Sequence, residues 1–284
     1  MSLLPAEDSF LSSEEQAILN SNLDKMNKDK ENNRYWAVGG ALSPVYSFRN
    51  LYHGNTNETY QWEGGTTNEL NEKAIIAFSG GFDVEYTSDR FSLSSGLYYS
   101  QMGQQTNSFS VNTFFNSNTN PVIFASTSIG NVVIQETDGQ LQHFNLDDGG
   151  NYAPNMLDTE PVSINAKVSD KFEFVELPII ANYKIIDRKL DVGVLAGIST
   201  SFLVNSKTTI TYLGQDLILD DYNNLSKISY NSIFGFGMQY PFTDRLRVKL
   251  QPVFKYTLNS LNKDYSVEYH PYSFSIYTGV SLDF

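Results

Sequence analysis

The chain ends in Tyr272-Ser273-Phe274-Ser275-Ile276-Tyr277-Thr278-Gly279-Val280-Ser281-Leu282-Asp283-Phe284. Tyr272, Phe274, Ile276, Val280, Leu282 and Phe284 share one parity, and Ser273, Ser275, Gly279, Ser281 and Asp283 the other. A period of two belongs to a β-strand, whose successive side chains point to opposite faces. The preceding stretch repeats the pattern. Leu246, Val248, Leu250, Phe254, Tyr256 and Leu258 alternate with Arg247, Lys249, Gln251, Lys255 and Thr257. Working backward, the same alternation recurs in Ile228–Tyr240, Leu190–Val204, Phe174–Tyr183, Phe91–Met102, Ile76–Tyr86 and Trp36–Tyr46, which makes eight strands in all. Each has about ten residues or more, where globular strands average roughly five or six. A tilted strand needs about 9–11 residues to cross a bilayer.

The connections alternate as well. Thr87–Arg90, Lys184–Lys189 and Pro241–Arg245 are short, and each carries an Asp-Arg pair. The others, 48–73, 103–170, 205–225 and 260–269, are long. Short turns at one rim and long loops at the other are the pattern of a transmembrane barrel. The expectation is therefore an all-β, eight-stranded antiparallel up-and-down transmembrane β-barrel over residues 34–284, with long extracellular loops. An even strand count returns both termini to the short-turn side, which in such barrels is periplasmic.

Composition excludes several other classes. The 284 residues contain no run of ~18 apolar positions, so no helical membrane span is present. The formal net charge is −13, which makes nucleic acid a poor partner. There is no cysteine, hence neither a disulfide scaffold nor a thiolate metal site. The acidity is concentrated: the long loops carry −11, with −6 in 103–170 alone, while the short turns carry +2. Residues 1–33 stand apart, at −4 and almost without aromatics. Ser12 and Glu15 have capping-box spacing before an Ile18, Leu19, Leu23 and Met26 stripe, which suggests a periplasmic linker with one short helix. Met1 to Ser12 lack a charged segment followed by an apolar one. A signal peptide has therefore been removed, or the chain is a piece of something longer.

Barrel width decides which face meets what. Eight strands enclose a space barely wide enough for their own side chains. The non-aromatic faces carry Gly39, Ser79, Gly81, Ser94, Gly96, Gly193, Gly197, Gly235, Gly237 and Gly279, which suit a crowded interior. The Phe- and Leu-rich faces then meet outer-membrane lipid. The alternative is a lipocalin-like ligand barrel with its apolar side inward. In the membrane reading, Asp83, Glu85, Glu176, Asp191, Arg247, Lys249 and Lys255 point into the lumen. They are expected to form a lattice of salt bridges, with an ion or proton path as the alternative. Glu176 and Asp191 are expected within reach of Lys249, Lys255 or Arg247.

Chemistry-bearing motifs are sparse. No G-x-S-x-G or H-E-x-x-H occurs, and the histidines, His53, His143 and His270, sit in loops or at the start of the last strand. No catalytic residue, metal site or cofactor is assigned. Asp147-Asp148-Gly149-Gly150-Asn151 and Asp220-Asp221-Tyr222-Asn223-Asn224 offer oxygen ligands for calcium, but lack EF-hand spacing and read equally as polar turns. Loop 103–170 holds a hairpin signal, Asp138-Gly139, between Val132–Thr137 and Gln140–Phe144. Thr208 to Leu219, around Gly214, predicts a second hairpin. These segments either cap the barrel or present a surface to a partner or ligand.

Several phrases resemble a known family. Trp36-Ala37-Val38-Gly39-Gly40 with Ser43-Pro44-Val45-Tyr46, Ser95-Gly96-Leu97-Tyr98-Tyr99-Ser100-Gln101-Met102-Gly103 and Glu176-Leu177-Pro178-Ile179-Ile180-Ala181-Asn182-Tyr183 resemble strands of PorT/OmpX-like outer-membrane β-barrel domains. Gly279, Leu282 and Phe284 are similar to the terminal signal read by barrel-assembly machinery. The first two phrases are also similar to the C-terminal barrel of dual-membrane-spanning anti-sigma factors. In those, a sigma-binding region and an inner-membrane helix precede the barrel; neither is found in residues 1–284. The resemblance implies a non-enzymatic barrel of the bacterial outer membrane that senses, binds or anchors. The alternative is an accessory subunit of a secretion or assembly complex, and an outer-membrane lipid enzyme trails both.

In detergent the protein is expected to be β-rich and to migrate differently on gels before and after boiling. A fully water-soluble monomer would contradict the lipid-facing assignment.

Overall fold

The computed structural model describes residues 18, 20, 34–53, 71–114, 122–127, 130–137, 140–145, 162–219, 225–263 and 267–284. Thirteen strands follow one another: β1 (Arg34–His53), β2 (Asn71–Ala74), β3 (Ile76–Ser88), β4 (Phe91–Phe114), β5 (Val122–Thr127), β6 (Gly130–Thr137), β7 (Gln140–Asn145), β8 (Val162–Ile186), β9 (Asp191–Tyr212), β10 (Gln215–Leu219), β11 (Ile228–Pro241), β12 (Leu246–Thr257) and β13 (Val267–Asp283). Eight of them close a ring of antiparallel pairs, β1-β3-β4-β8-β9-β11-β12-β13 and back to β1. The closing seam runs from Ala37 opposite Asp283 to His53 opposite Val267. A closed ring has no edge strand, so the backbone donors and acceptors find partners without water.

The expected strands are present, and several are longer than their alternating cores. β4 and β8 continue as a pair through Val111 and Val162, so the first and last parts of 103–170 are barrel wall. At the other rim, β8 runs to Ile186, which places Lys184 in a strand where the sequence reading had put it in a turn. The Asp89-Arg90 turn has Asp89 at φ 57°, a left-handed conformation that Asp tolerates. Both expected hairpins are present. Thr137 stands opposite Gln140, and Tyr212 opposite Gln215. Leu213 and Gly214 both have positive φ, which the tightest hairpin turn requires. β5, β6 and β7 form a small sheet on β4 residues 112–114. Of residues 1–33, Ile18 and Asn20 are described, both helical; the rest of the expected linker helix, Asp147–Asn151 and Asp220–Asn224 lie outside the described residues.

The wall is turned as the interior width requires. Trp36, Val38, Leu42, Phe78, Phe82, Leu93, Leu97, Ile179, Ile198, Phe234, Phe236, Ile276 and Val280 are all exposed. Ser43, Ser79, Ser92, Ser100, Ser199, Ser273 and Ser281 are buried. On β8 the apolar outward run from Ile185 to Val175 covers ten residue steps. That is about 33 Å of strand, or roughly 25 Å vertically at the usual tilt, the height of a lipid-facing band. Aromatic residues mark both limits of the band. Trp36 and Tyr86, with ring centroids 5.0 Å apart, sit at the short-turn end. Phe48, Tyr272, Phe274 and Phe254 interlock at the other. Inside, neighbouring strands press closely on the glycines. A methyl group on Gly96 would strike the backbone of Phe82 and Asp83.

Above the band the polarity reverses. Met102, Val168, Phe172, Phe174, Ile210, Leu219, Leu225, Leu261 and Tyr269 form a buried apolar cluster inside the barrel, while Lys171, Asn205 and Lys207 face outward. The barrel thus continues past the membrane as a water-facing cylinder with an apolar core.

Phe236 is 57% exposed near the middle of β11. Phe236→Arg should lower folding stability in lipid vesicles by about 2–4 kcal/mol, read by denaturant titration. An unchanged midpoint would place that face away from lipid.

Candidate functional site: the filled lumen and its outer cap

Inward parity on the eight barrel strands delivers charged side chains to three levels of the lumen. Nearest the short turns, Lys184 Nζ lies 3.0 Å from Asp191 Oδ2, and Arg247 Nε 2.7 Å from Asp283 Oδ2. The Arg247 guanidinium also bonds the Tyr35 hydroxyl and lies 4.1 Å from the centre of that ring. One level up, Lys249 Nζ donates to Glu85 Oε2 at 2.5 Å and to Asp83 Oδ2 at 3.2 Å. Thr87, Gln239 and Tyr98 supply further donors to these two carboxylates. At the centre, Lys255 Nζ lies 2.8 Å from Glu176 Oε2, and Ser199 donates to the other oxygen of Glu176. Asn231 then ties Ser199, Ser201 and Thr257 together beneath the apolar cluster.

All seven sequence-predicted lumen charges therefore lie in the interior, with a change of partners. Asp191 pairs with Lys184, and not with Lys249, Lys255 or Arg247. Arg247 takes Asp283. The reason is reach. Lys184 and Asp191 are diagonal neighbours across β8 and β9, and Arg247 and Asp283 across β12 and β13, so these pairs form along the wall. Lys249 and Lys255 instead span the lumen to β3 and β8. Lys184, Asp283 and Tyr35 were missed by sequence reasoning. Parity alone would have found them, because each continues the inward series of its strand.

Burial of these charges is offset by mutual pairing and hydroxyl donors, the condition under which a buried ion is tolerated. What remains open is small. One cavity of about 40 Å³ lies among Tyr98, Glu176, Gln251, Lys255, Ser275 and Tyr277, room for roughly two or three waters. Another, between Asn231 and Leu261, is about 10 Å³. Above them stands the apolar cluster, with Phe172 and Tyr269 rings 6.1 Å apart. Among the described residues, ion pairs below and apolar side chains above fill the interior.

The other singled-out residues fall elsewhere. Gly279 faces the lumen opposite Ala41, where a side chain would strike Gly40 and Ala41. Leu282 and Phe284 face outward at the short-turn rim, 57% and 75% exposed. Phe284 exchanges backbone hydrogen bonds with Trp36 and completes the seam. His270 stacks on Tyr256 above the band, with Nδ1 3.2 Å from the Thr257 carbonyl oxygen. The side chains of His53 and His143 lie outside the described residues. Among the described residues, no group of three or more His, Asp or Glu has the spacing of a metal site.

Glu176→Gln strands the Lys255 charge in the lumen and should cost about 3–5 kcal/mol of folding stability in vesicles. Adding Lys255→Met to it should recover most of the loss. A double variant as unstable as the sum of the single ones would mean that the two residues are not energetically coupled.

The comparisons with known proteins follow the same lines. Residues 16–266 match the family described as outer membrane protein beta-barrel domain. Among solved structures, similarity is found to the Neisserial surface protein A, at 11% identity, covering 88% of this chain and 97% of that one, with a TM-score of 0.39. It is also found to the attachment invasion locus protein Ail of Yersinia pestis, at 10%, 87%, 97% and 0.27. A further likeness is to OprG of Pseudomonas aeruginosa, at 8%, 89%, 96% and 0.35. Among curated protein sequences nothing matches. With its ring closed by eight strands, its lipid-facing apolar band and a family match over most of its length, this chain belongs to the outer membrane β-barrel domain family and is a protein of the bacterial outer membrane.

Proposed function

We propose that this protein is a closed, non-enzymatic membrane anchor whose working surfaces lie at its two ends rather than in its lumen. One observation carries the reading: the interior is filled by ion pairs below and an apolar cluster above. Such a filling leaves no path for a solute, and the charged groups described inside it are paired with one another. The extension at the long-loop end offers the larger surface. It combines β2, β10 and the β5–β7 sheet with the tall ends of β4, β8 and β9. In this reading the segment 103–170, at −6, faces the cell exterior and engages a protein or ligand there. Both termini lie in the periplasm, and residues 1–33 form a tether. Gly279, Leu282 and Phe284, at the end of the last strand, serve as the signal for barrel assembly. An anti-sigma or other signalling role would use that tether as its output.

The test separates docking from anchoring. Residues 113–160 are removed from the native gene and positions 112 and 161 joined by a two-residue turn. This keeps every β4–β8 pair through Val111 and Val162. The shortened barrel should insert and keep its heat-modifiable mobility, but lose the protein's envelope phenotype or regulatory output. Full retention would reject docking through this segment. Loss of output on cutting within 1–33, with the barrel still inserted, would support the tether. Indifference to both changes would favour an accessory subunit held by its wall.

A further inference from the structure

On a chain of net charge −13, four exposed lysines lie on one side of the barrel above the lipid-facing band. Lys167 and Lys171 lie on β8, Lys207 on β9, and Lys227 just before β11; all four are exposed. Lys171 and Lys207 stand directly opposite each other in register. Like charges so placed repel and weaken a sheet, so the arrangement is not explained by stability.

Its geometry depends on a β-bulge. The pairing of β8 with β9 shifts between Glu173 opposite Asn205 and Phe174 opposite Leu203, leaving Val204 as the extra residue. Below the bulge, Phe202 and Val204 face outward; above it, Asn205 and Lys207 do, while Ser206 and Thr208 are buried. Strict alternation continued from Phe202 and Val204 would instead turn Lys207 into the apolar core. The bulge therefore re-aims Lys207 to the outer wall at the height where the wall changes from apolar to polar.

That height matches lipid headgroups. Lys171 is four residues beyond Val175, the last apolar outward residue of β8. This is about 13 Å of strand, or roughly 10 Å vertically at the usual tilt. A lysine side chain reaches several ångströms downward along an apolar wall while its ammonium stays in the polar zone. Lys227 lies one strand away, level with Leu203, whose amide donates to the Lys227 carbonyl. Gln101 and Asn205 add neutral donors nearby. The acidic groups facing the patch, among the described residues, are two. Glu173 lies 3.3 Å from Lys171, and Asp216 accepts from Thr211. Four ammonium groups against two carboxylates leave an excess of positive charge.

We propose that the outer wall of β8 and β9, centred on Lys171 and Lys207, binds the phosphate of a membrane lipid in the leaflet at the long-loop end. The acyl chains continue down the apolar face formed by Val175, Leu177, Phe202 and Val204. This rests on the barrel's place in the membrane and is independent of the docking role proposed above.

The test uses the full chain in nanodiscs or mild detergent. Retention of bis-phosphorylated lipid A is compared with that of its dephosphorylated form by native mass spectrometry, with inorganic phosphate added as a competitor. The phosphorylated lipid should be held about tenfold or more tightly than the dephosphorylated one. Lys171→Gln combined with Lys207→Gln should abolish that preference. The Lys171→Arg, Lys207→Arg pair and the short-turn control Lys189→Gln should keep it. Heat-modifiable mobility verifies folding of each variant. Equal retention of the two lipids, or an unchanged preference in the double glutamine variant, would overturn the proposal. Displacement by millimolar inorganic phosphate would mark a free-anion site and overturn the lipid assignment.

Discussion

An eight-stranded ring has an interior only as wide as its own side chains, and most of this protein follows from that limit. At the membrane level Leu195 and Ile233 are buried inside, while the Phe- and Leu-rich faces are turned to lipid. Glycine and serine take the inward positions where neighbouring strands approach, as at Gly96 against Phe82 and Asp83. The longer inward side chains must then satisfy one another. Lys249 does so with Asp83 and Glu85, and Lys255 with Glu176, beside a cavity of about 40 Å³.

The second organising feature is the change of polarity along the axis. Within the band, apolar groups face out and polar groups in. Above it, Phe172, Ile210 and Tyr269 turn inward while lysines turn outward. Each half obeys the same rule, that apolar surface avoids water, with lipid outside in one case and solvent in the other. The apolar cluster lies above the buried ion pairs. A low local dielectric strengthens those pairs while making any unpaired member costly. The cap and the lattice therefore support each other.

A barrel built this way offers little room for movement in its wall. Coupling between two ends requires an element with two arrangements, and the closed ladder and filled lumen supply none among the described residues. Outside the closed ladder, the described residues add the β5–β7 sheet and the β9–β10 hairpin, and the ladder itself shifts at the Val204 bulge.

The fold itself was legible in the chain because strand parity is a local property. Alternation read from Tyr272 to Phe284, repeated seven times, determined the strand number, the inward set and the lipid-facing set. Width then chose between the two faces. The site was legible in part. Parity sends Glu176, Lys249 and Lys255 inward, but it does not choose partners. Partner choice depends on stagger and tilt, which bring Lys184 beside Asp191 and Asp283 beside Arg247. The apolar cluster was also beyond a local reading, since Met102, Ile210, Leu261 and Tyr269 come from separate strands and connections and meet only when the ring closes. The Val204 bulge belongs to the same class. One extra residue inverts every later side chain of β9, and only the pairing with β8 reveals where the inversion falls. Within the lipid-facing band, sequence by itself determined which residues face in and which face out along each strand. The tertiary structure alone decided which of them meet, because that depends on how far each strand is shifted against its neighbour around a closed ring.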